Sequence, residues 1–290
     1  MTILISFLLT SALTVLLASA AVGLGAILLG LGRQPMPASG PATMTIGTEA
    51  PLIRRLPVLG LVLAFTLLLA ALVMRAILIG HAPWSNLHEF SLAFATALVG
   101  THLLLGRAHP LDGLAPFTAL LAAGLVAFSL GLDARVDPLV PALQQPLLLT
   151  IHVGAAVLAY AVSGVAFIAA AAEIAQASSG DRIPILPSAA AARAIGHRAV
   201  LVAFPILTIA IALGSVWANL AWRSYWSNDP KELAAAATWL VFGAYLHVAG
   251  RRDRWERLAP WLIVLGFAGV LFTYIGAGLF FIGEHSYAAP

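Results

Sequence analysis

An all-α bundle of about eight membrane-spanning helices is the fold this sequence predicts, and three observations predict it. Of the 290 residues, 61% are hydrophobic and 9% charged, whereas water-soluble chains carry about 45–50% apolar and about 25% charged residues. The apolar residues come in long continuous runs separated by short polar stretches, and about 20 such residues cross a bilayer core as a helix. The runs do not alternate with period two, as the strands of a membrane β-barrel would. A soluble enzyme, a disordered chain and a nucleic-acid binder are excluded together, because so few charges could not solvate a globule of this size.

By run length the spans fall at 4–32, 56–79, 91–106, 115–132, 147–176, 195–218, 233–250 and 260–283. No basic residue precedes the first run, and the run is longer than the apolar core of a signal peptide, so it reads as a span. Lysine and arginine set the orientation. The connection between spans one and two holds Arg33, Arg54 and Arg55, that between three and four Arg107, that between five and six Arg182, Arg193 and Arg198, and the last Arg251, Arg252, Arg254 and Arg257. These are eleven of the fifteen basic residues; Arg75, Arg135, Arg223 and Lys231 lie on or near the other side. The heavy side is expected to be cytoplasmic, with both termini external. The net charge of +3 then reports topology. No repeat or long linker divides the chain, which reads as one membrane domain, 1–290.

Chemistry concentrates in 217–232, where Trp217, Trp222, Tyr225 and Trp226 fall within ten residues on the expected outer side. Asp229, Pro230 and Glu232 occupy the N-cap, N1 and N3 positions of a capping box opening span seven. Two readings of the aromatics stand side by side. One is an interfacial belt; the other is a flat apolar platform for a planar macrocycle, with Arg223 or Lys231 available to its carboxylates. With no cysteine in the chain, there is no thiolate ligand or disulfide, and histidine is the metal-binding side chain present in number. A histidine inside or at the edge of a span tends to be functional. His152 opens span five and His285 follows span eight, both at the level of the aromatic segment. His247 lies at the far end of span seven, 16 residues or roughly 24 Å from Lys231 at 1.5 Å per residue.

The run Trp222-x-x-Tyr225-Trp226-x-x-Asp229-Pro230-Lys231-Glu232 resembles the WWD signature of the haem handling proteins, and its Asp-Pro-Lys-Glu ending is similar to the CcsA/ResC branch of System II cytochrome c biogenesis. Pro83-Trp84-Ser85-Asn86-Leu87-His88-Glu89 resembles that family's first external loop. Val140-Pro141-Ala142-Leu143-Gln144 with Ile151-His152-Val153, Tyr245-Leu246-His247 and Gly283-Glu284-His285-Ser286-Tyr287 match later segments in order. The resemblance covers about 80–290. Two positions depart from it: Asn228 stands where the family carries the last tryptophan of the signature, and His88 where it carries tyrosine.

The resemblance implies haem b as transported substrate and bound ligand, with His152 and His285 as axial ligands of an outer haem against the aromatic segment. It implies His247 as ligand of an inner haem, whose second imidazole comes from a CcsB/ResB-like membrane partner. It further implies an apocytochrome c presenting a Cys-x-x-Cys-His motif, a cytochrome c haem lyase complex, and residence in the plasma (inner) membrane, or the thylakoid membrane in a plastid. A haem-retaining b-type cytochrome subunit is the rival class; a transporter would show broken helices near the midplane. His81, His88, His102, His109 and His197 have no assigned role.

Overall fold

The computed structural model describes residues 1–31, 52–136, 146–251, 255, 257–281 and 283–285. Among these it is all-helical, with eight helices long and apolar enough to cross a membrane. They are α1 (Thr2–Leu28), α2 (Leu52–Ile79), α3 (Leu87–Gly106), α4 (Ala115–Leu130), α5 (Pro146–Ser179), α6 (Ala189–Trp222), α7 (Pro230–Ala249) and α8 (Ala259–Leu271). A five-residue π turn, Phe272–Gly276, and a short helix, Ala277–Phe280, continue α8. All eight expected spans are present, and the chain is an integral membrane protein. Arg33, Arg252, Arg254, the 140–144 motif, Ser286 and Tyr287 lie outside the described residues.

The first four helices form one group, with α1 against α2 and α4, and α3 against α2 and α4. In the second group α6 packs on α5 and α7, and α8 packs on α5 and α7; α3 on α5 joins the groups. Burial from water does not drive such packing inside a bilayer, so close approach of small residues must supply it. At α1 against α2, a side chain on Gly60 would collide with Ser19. Large side chains such as Phe7, Leu63, Ile209 and Leu240 stay exposed, which suits faces turned to lipid.

Two helix starts show how the sequence fixes one end of the bundle. Asn86 caps α3 by accepting from the Glu89 amide. Glu89 Oε2 accepts from the Ser85 amide and hydroxyl at 2.9 and 2.7 Å, while Oε1 pairs with Arg75 Nε at 2.9 Å. The same guanidinium donates to the carbonyls of Ala134 and Arg135 at 2.8 and 3.1 Å, tying the chain beyond α4 to α2 and α3. This ion pair is buried, and its fork of donors is the kind of satisfaction a buried charge requires. Arg75, placed above among the four basic residues on or near the other side, is thus a structural clamp.

At the start of α7 the expected capping box forms: the Asp229 side chain accepts from the first-turn backbone, and Glu232 Oε2 accepts from the Asp229 amide at 3.2 Å.

Candidate functional site

At the capped end, α3, α5, α6, α7 and the π turn enclose a cavity of about 1200 Å³ including its open mouth. One stripe of α5 lines it (Leu149, His152, Val153, Ala156 and Tyr160), as does one stripe of α6 (Leu207, Ala210, Ile211, Gly214 and Trp217). Both follow the 3.6-residue helical period. Trp84, Phe90, Thr273, Tyr274, Tyr225, Trp226, Lys231, Glu232 and His285 complete the wall. The π turn brings in Thr273 and Tyr274, and such turns recur at functional sites. The Tyr274 hydroxyl is hydrogen-bonded to Ser91 Oγ, and Phe90 stacks on the Tyr274 ring at 5.2 Å.

Two imidazoles face this space, and their neighbours fix their tautomers. His152 Nδ1 lies 2.8 Å from the Ala210 carbonyl. A carbonyl only accepts, so Nδ1 carries the proton and Nε2 keeps its lone pair. His285 Nδ1 lies 2.8 Å from Asp229 Oδ1, and the His285 amide donates to Oδ2 at 3.3 Å. Burial pushes the Asp229 carboxyl up. The hydrogen bond and charge of His285, with the Lys231 and His285 amides, outweigh that and hold it down at about 2. Asp229 is therefore ionised at neutral pH and accepts, so His285 also carries its proton on Nδ1 and ligation would fall to Nε2. A carboxylate or carbonyl behind each imidazole is the arrangement that orients metal-binding histidines. Trp217 touches both rings, stacked on His152 at 6.1 Å and 11°, and tilted against His285 at 5.7 Å.

The aromatic segment is built differently from the flat platform considered above. Helix α6 runs to Trp222, four residues past the expected end at 218, and stops at Arg223 in the left-handed conformation, φ +64°. Trp217 is fully buried, a wall of the cavity. Trp222 is not part of the wall; it stands edge-on to Trp217 at 4.9 Å and to His285 at 5.1 Å. The exposed rim is Tyr225 and Trp226. Ser215 Oγ donates to the Tyr225 carbonyl at 2.8 Å, pinning this rim to α6. Asn228 has φ +59°, a left-handed backbone that asparagine tolerates and a bulky side chain does not. Its Oδ1 accepts from Trp226 Nε1 at 2.9 Å. The departure from the family pattern thus has its own local fit, in which the missing ring is replaced by a hydrogen bond to its neighbour.

The structure therefore brings His152, His285, Trp217, Tyr225, Trp226, Asp229 and Lys231 together. Arg223 is exposed and not part of the wall, so of the two cations Lys231 is the one at the cavity. His247 sits exposed in the last turn of α7 at the opposite end. Tyr245, two residues earlier and hence about 200° around the helix, is buried against His197, with its hydroxyl 3.2 Å from Nδ1. His197 and His247 cannot face one ring.

The remaining histidines have local partners. His88 is buried, with Nδ1 2.9 Å from both the Ser129 carbonyl and hydroxyl. His102 bonds Thr118, His81 the Ala82 carbonyl, and His109 meets Arg198. Sequence reading missed Tyr160, Phe90, Tyr274 and Gly214 as cavity residues. For Tyr160 a signal existed, since it falls two turns beyond His152 on the same face.

A family model described as "Cytochrome C assembly protein" matches residues 84–285, the stretch that builds this cavity. Proteins named "Cytochrome c biogenesis protein CcsA" are similar over most of both chains. The one from Parasynechococcus marenigrum (strain WH8102) is 35% identical over 257 residues, covering 78% of this chain and 84% of its own. That from Synechococcus elongatus (strain ATCC 33912 / PCC 7942 / FACHB-805) is 33% identical over 295 residues, covering 83% and 90%. With its whole cavity inside the matched stretch, the chain belongs to the cytochrome c assembly protein family.

Proposed function

We propose that this chain binds haem b between His152 and His285 and presents it for covalent attachment to apocytochrome c, working with a CcsB/ResB-like membrane partner. The observation that carries the reading is the pair of imidazoles on the cavity wall, each oriented through Nδ1 by a carbonyl or a carboxylate. Neutral imidazole is the common axial ligand of haem iron. Lys231 at the wall suits a haem carboxylate, and Trp217, Tyr225, Trp226, Phe90 and Tyr160 suit the apolar ring. The macrocycle supplies the vinyl groups to which cysteine thiols add; the protein's part is to orient ring and polypeptide and to exclude side reactions. A b-type cytochrome subunit usually buries its haem between facing helices. Here the cavity opens at one end of the bundle, as delivery to a second protein requires.

Co-expression with a ResB-like partner and a reporter apocytochrome bearing Cys-x-x-Cys-His is expected to yield covalently attached haem. Its absence, with stoichiometric redox-active haem kept by the purified chain, would return the reading to the b-type rival.

His247, exposed at the opposite end, is the ligand we propose for haem on its way in, its other axial position filled by the partner. The positive-inside distribution supports placing that end in the cytoplasm and the cavity outside. A reporter fused after Pro290 should then read as external and one at Arg252 as cytoplasmic. The reverse pair of results would invert the direction of transport.

A further inference from the structure

The two imidazoles on the cavity wall are oriented by different kinds of partner. Behind His152 is a neutral peptide carbonyl, that of Ala210, 2.8 Å from Nδ1. Ala210 lies inside α6, so its carbonyl also accepts the helical hydrogen bond from the amide four residues on. Behind His285 is a carboxylate. His285 Nδ1 donates to Asp229 Oδ1 at 2.8 Å, and the Asp229 side chain is 1% exposed against 20% for that of His285. The charge is thus buried beside the ring, where water screens it little. Oδ1 has a second duty, accepting from the Lys231 amide at 2.8 Å in the first turn of α7. Oδ2 makes only the 3.3 Å bond with the His285 amide, and a side chain on Gly283 would collide with it. The carboxylate is therefore held against the imidazole by the cap of α7 on one side and by the chain after α8 on the other.

A carboxylate that accepts from Nδ1–H draws that proton and raises the basicity of the opposite ring nitrogen; a neutral carbonyl does so less. A stronger donor favours ferric over ferrous iron, and a buried negative charge nearby acts in the same direction. Two haem ligands backed in these two ways form iron bonds of unequal strength. A site that gives its haem up can use the difference, since the weaker bond opens while the stronger still holds the ring.

We propose that Asp229 makes the two axial ligands unequal: acting through His285 it fastens the iron on that side, and the His152 bond is the one that opens when haem is handed on. The inference rests on the haem-delivery reading above and adds an order of events to it. Asp229 is not part of the cavity wall and acts only through the imidazole, as a positioning residue.

The test uses the full chain, purified without its partner and loaded with haem b, so that the cavity is what reports. Asp229→Asn keeps an oxygen at the Oδ1 position for both hydrogen bonds, since asparagine caps helices as well as aspartate, and removes the charge. Haem content and the two-imidazole visible spectrum should stay as in the wild type. The preference for ferric over ferrous haem should fall about tenfold, a rise of about 59 mV in midpoint potential for one electron. Asp229→Ser still caps α7 but is too short to reach the ring, and should lose haem affinity roughly 10–100-fold. His152→Ala should retain about tenfold more haem than His285→Ala, and in the Asp229→Asn background that gap should close. An Asp229 that only capped α7 would move neither the potential nor the gap. An unchanged potential in Asp229→Asn with haem still bound, or equal retention by the two alanine variants, overturns the proposal and leaves the haem reading standing. Haem loss from Asp229→Asn as severe as from Asp229→Ser would make Asp229 a fastening for the chain after α8, and overturns it as well. A wild-type chain that takes up no haem, or full retention in both alanine variants, defeats the haem reading itself and this inference with it.

Discussion

Gly214→Ala, a single added methyl, is expected to remove haem from the cavity almost as thoroughly as loss of an axial imidazole. A Cβ at this position of α6 would lie 2.6 Å from His152 Cε1, 3.1 Å from Nδ1 and 3.3 Å from Nε2. The near atoms belong to a ring held through Nδ1 by the Ala210 carbonyl, and an approach of 2.6 Å demands more than a small tilt. The ring must swing away and give up the hydrogen bond to the Ala210 carbonyl, the contact that fixes its tautomer. Inserting a methylene-sized group into a packed site costs about 1–3 kcal/mol, or roughly 5–150-fold in occupancy of the original rotamer. Haem retention should fall by about that factor while expression and insertion stay normal. Gly154→Ala on α5, where nothing lies within 4 Å of the added carbon, is the matched control and should keep its haem. Full retention in the Gly214 variant, with an unchanged axial-ligand spectrum, would mean that His152 in this orientation is not a ligand.

Gly214 also marks where sequence reading stopped. The spans, the Asp229–Pro230–Glu232 cap and the level of His152 and His285 were legible, because hydropathy run length and helix-start chemistry are local. Which face of each span meets protein was not. In a soluble helix the polar face reveals the buried one; in α5 and α6 both lipid-facing and protein-facing residues are apolar, so apart from His152 and Tyr160 the stripes carry no contrast with their surroundings. The same blindness placed Trp217 on an open platform when it is a buried wall, since tryptophan satisfies both settings. Arg75 was placed on or near the less basic side and given no structural role, because its partner Glu89 lies across a helix boundary and pairing over such a distance has no local signature. The π turn that brings Tyr274 to the cavity has no distinctive signal either, since its one glycine, Gly276, resembles the many glycines scattered through the spans.

The proposed axial ligands give the most divergent set of expected outcomes. His152→Ala and His285→Ala each open an imidazole-sized hole beside the ring while leaving the opposite ligand in place, and each should lower haem retention at the cavity by more than the roughly 10–100-fold that loss of a ligand's orienting partner costs. The cavity is open at its mouth, so imidazole added to the medium should enter the hole and restore part of the haem and part of the attachment activity. Gly214→Ala should show no such rescue, because there the imidazole is displaced and no hole exists for a free one to fill. That contrast separates loss of a ligand from loss of its orientation. His247→Ala should differ again. It lies at the opposite end of α7 and exposed, where its loss would deprive incoming haem of a ligand before transfer. Haem should then be scarce at both ends of the bundle, whereas the cavity variants should still hold haem at the His247 end. The comparison requires the partner, since no second imidazole faces His247 among the described residues. Spectra of the three variants with and without imidazole decide the matter: equal loss from all three, rescued alike, would mean one haem site shared by the complex, and the two-ended route would have to be given up.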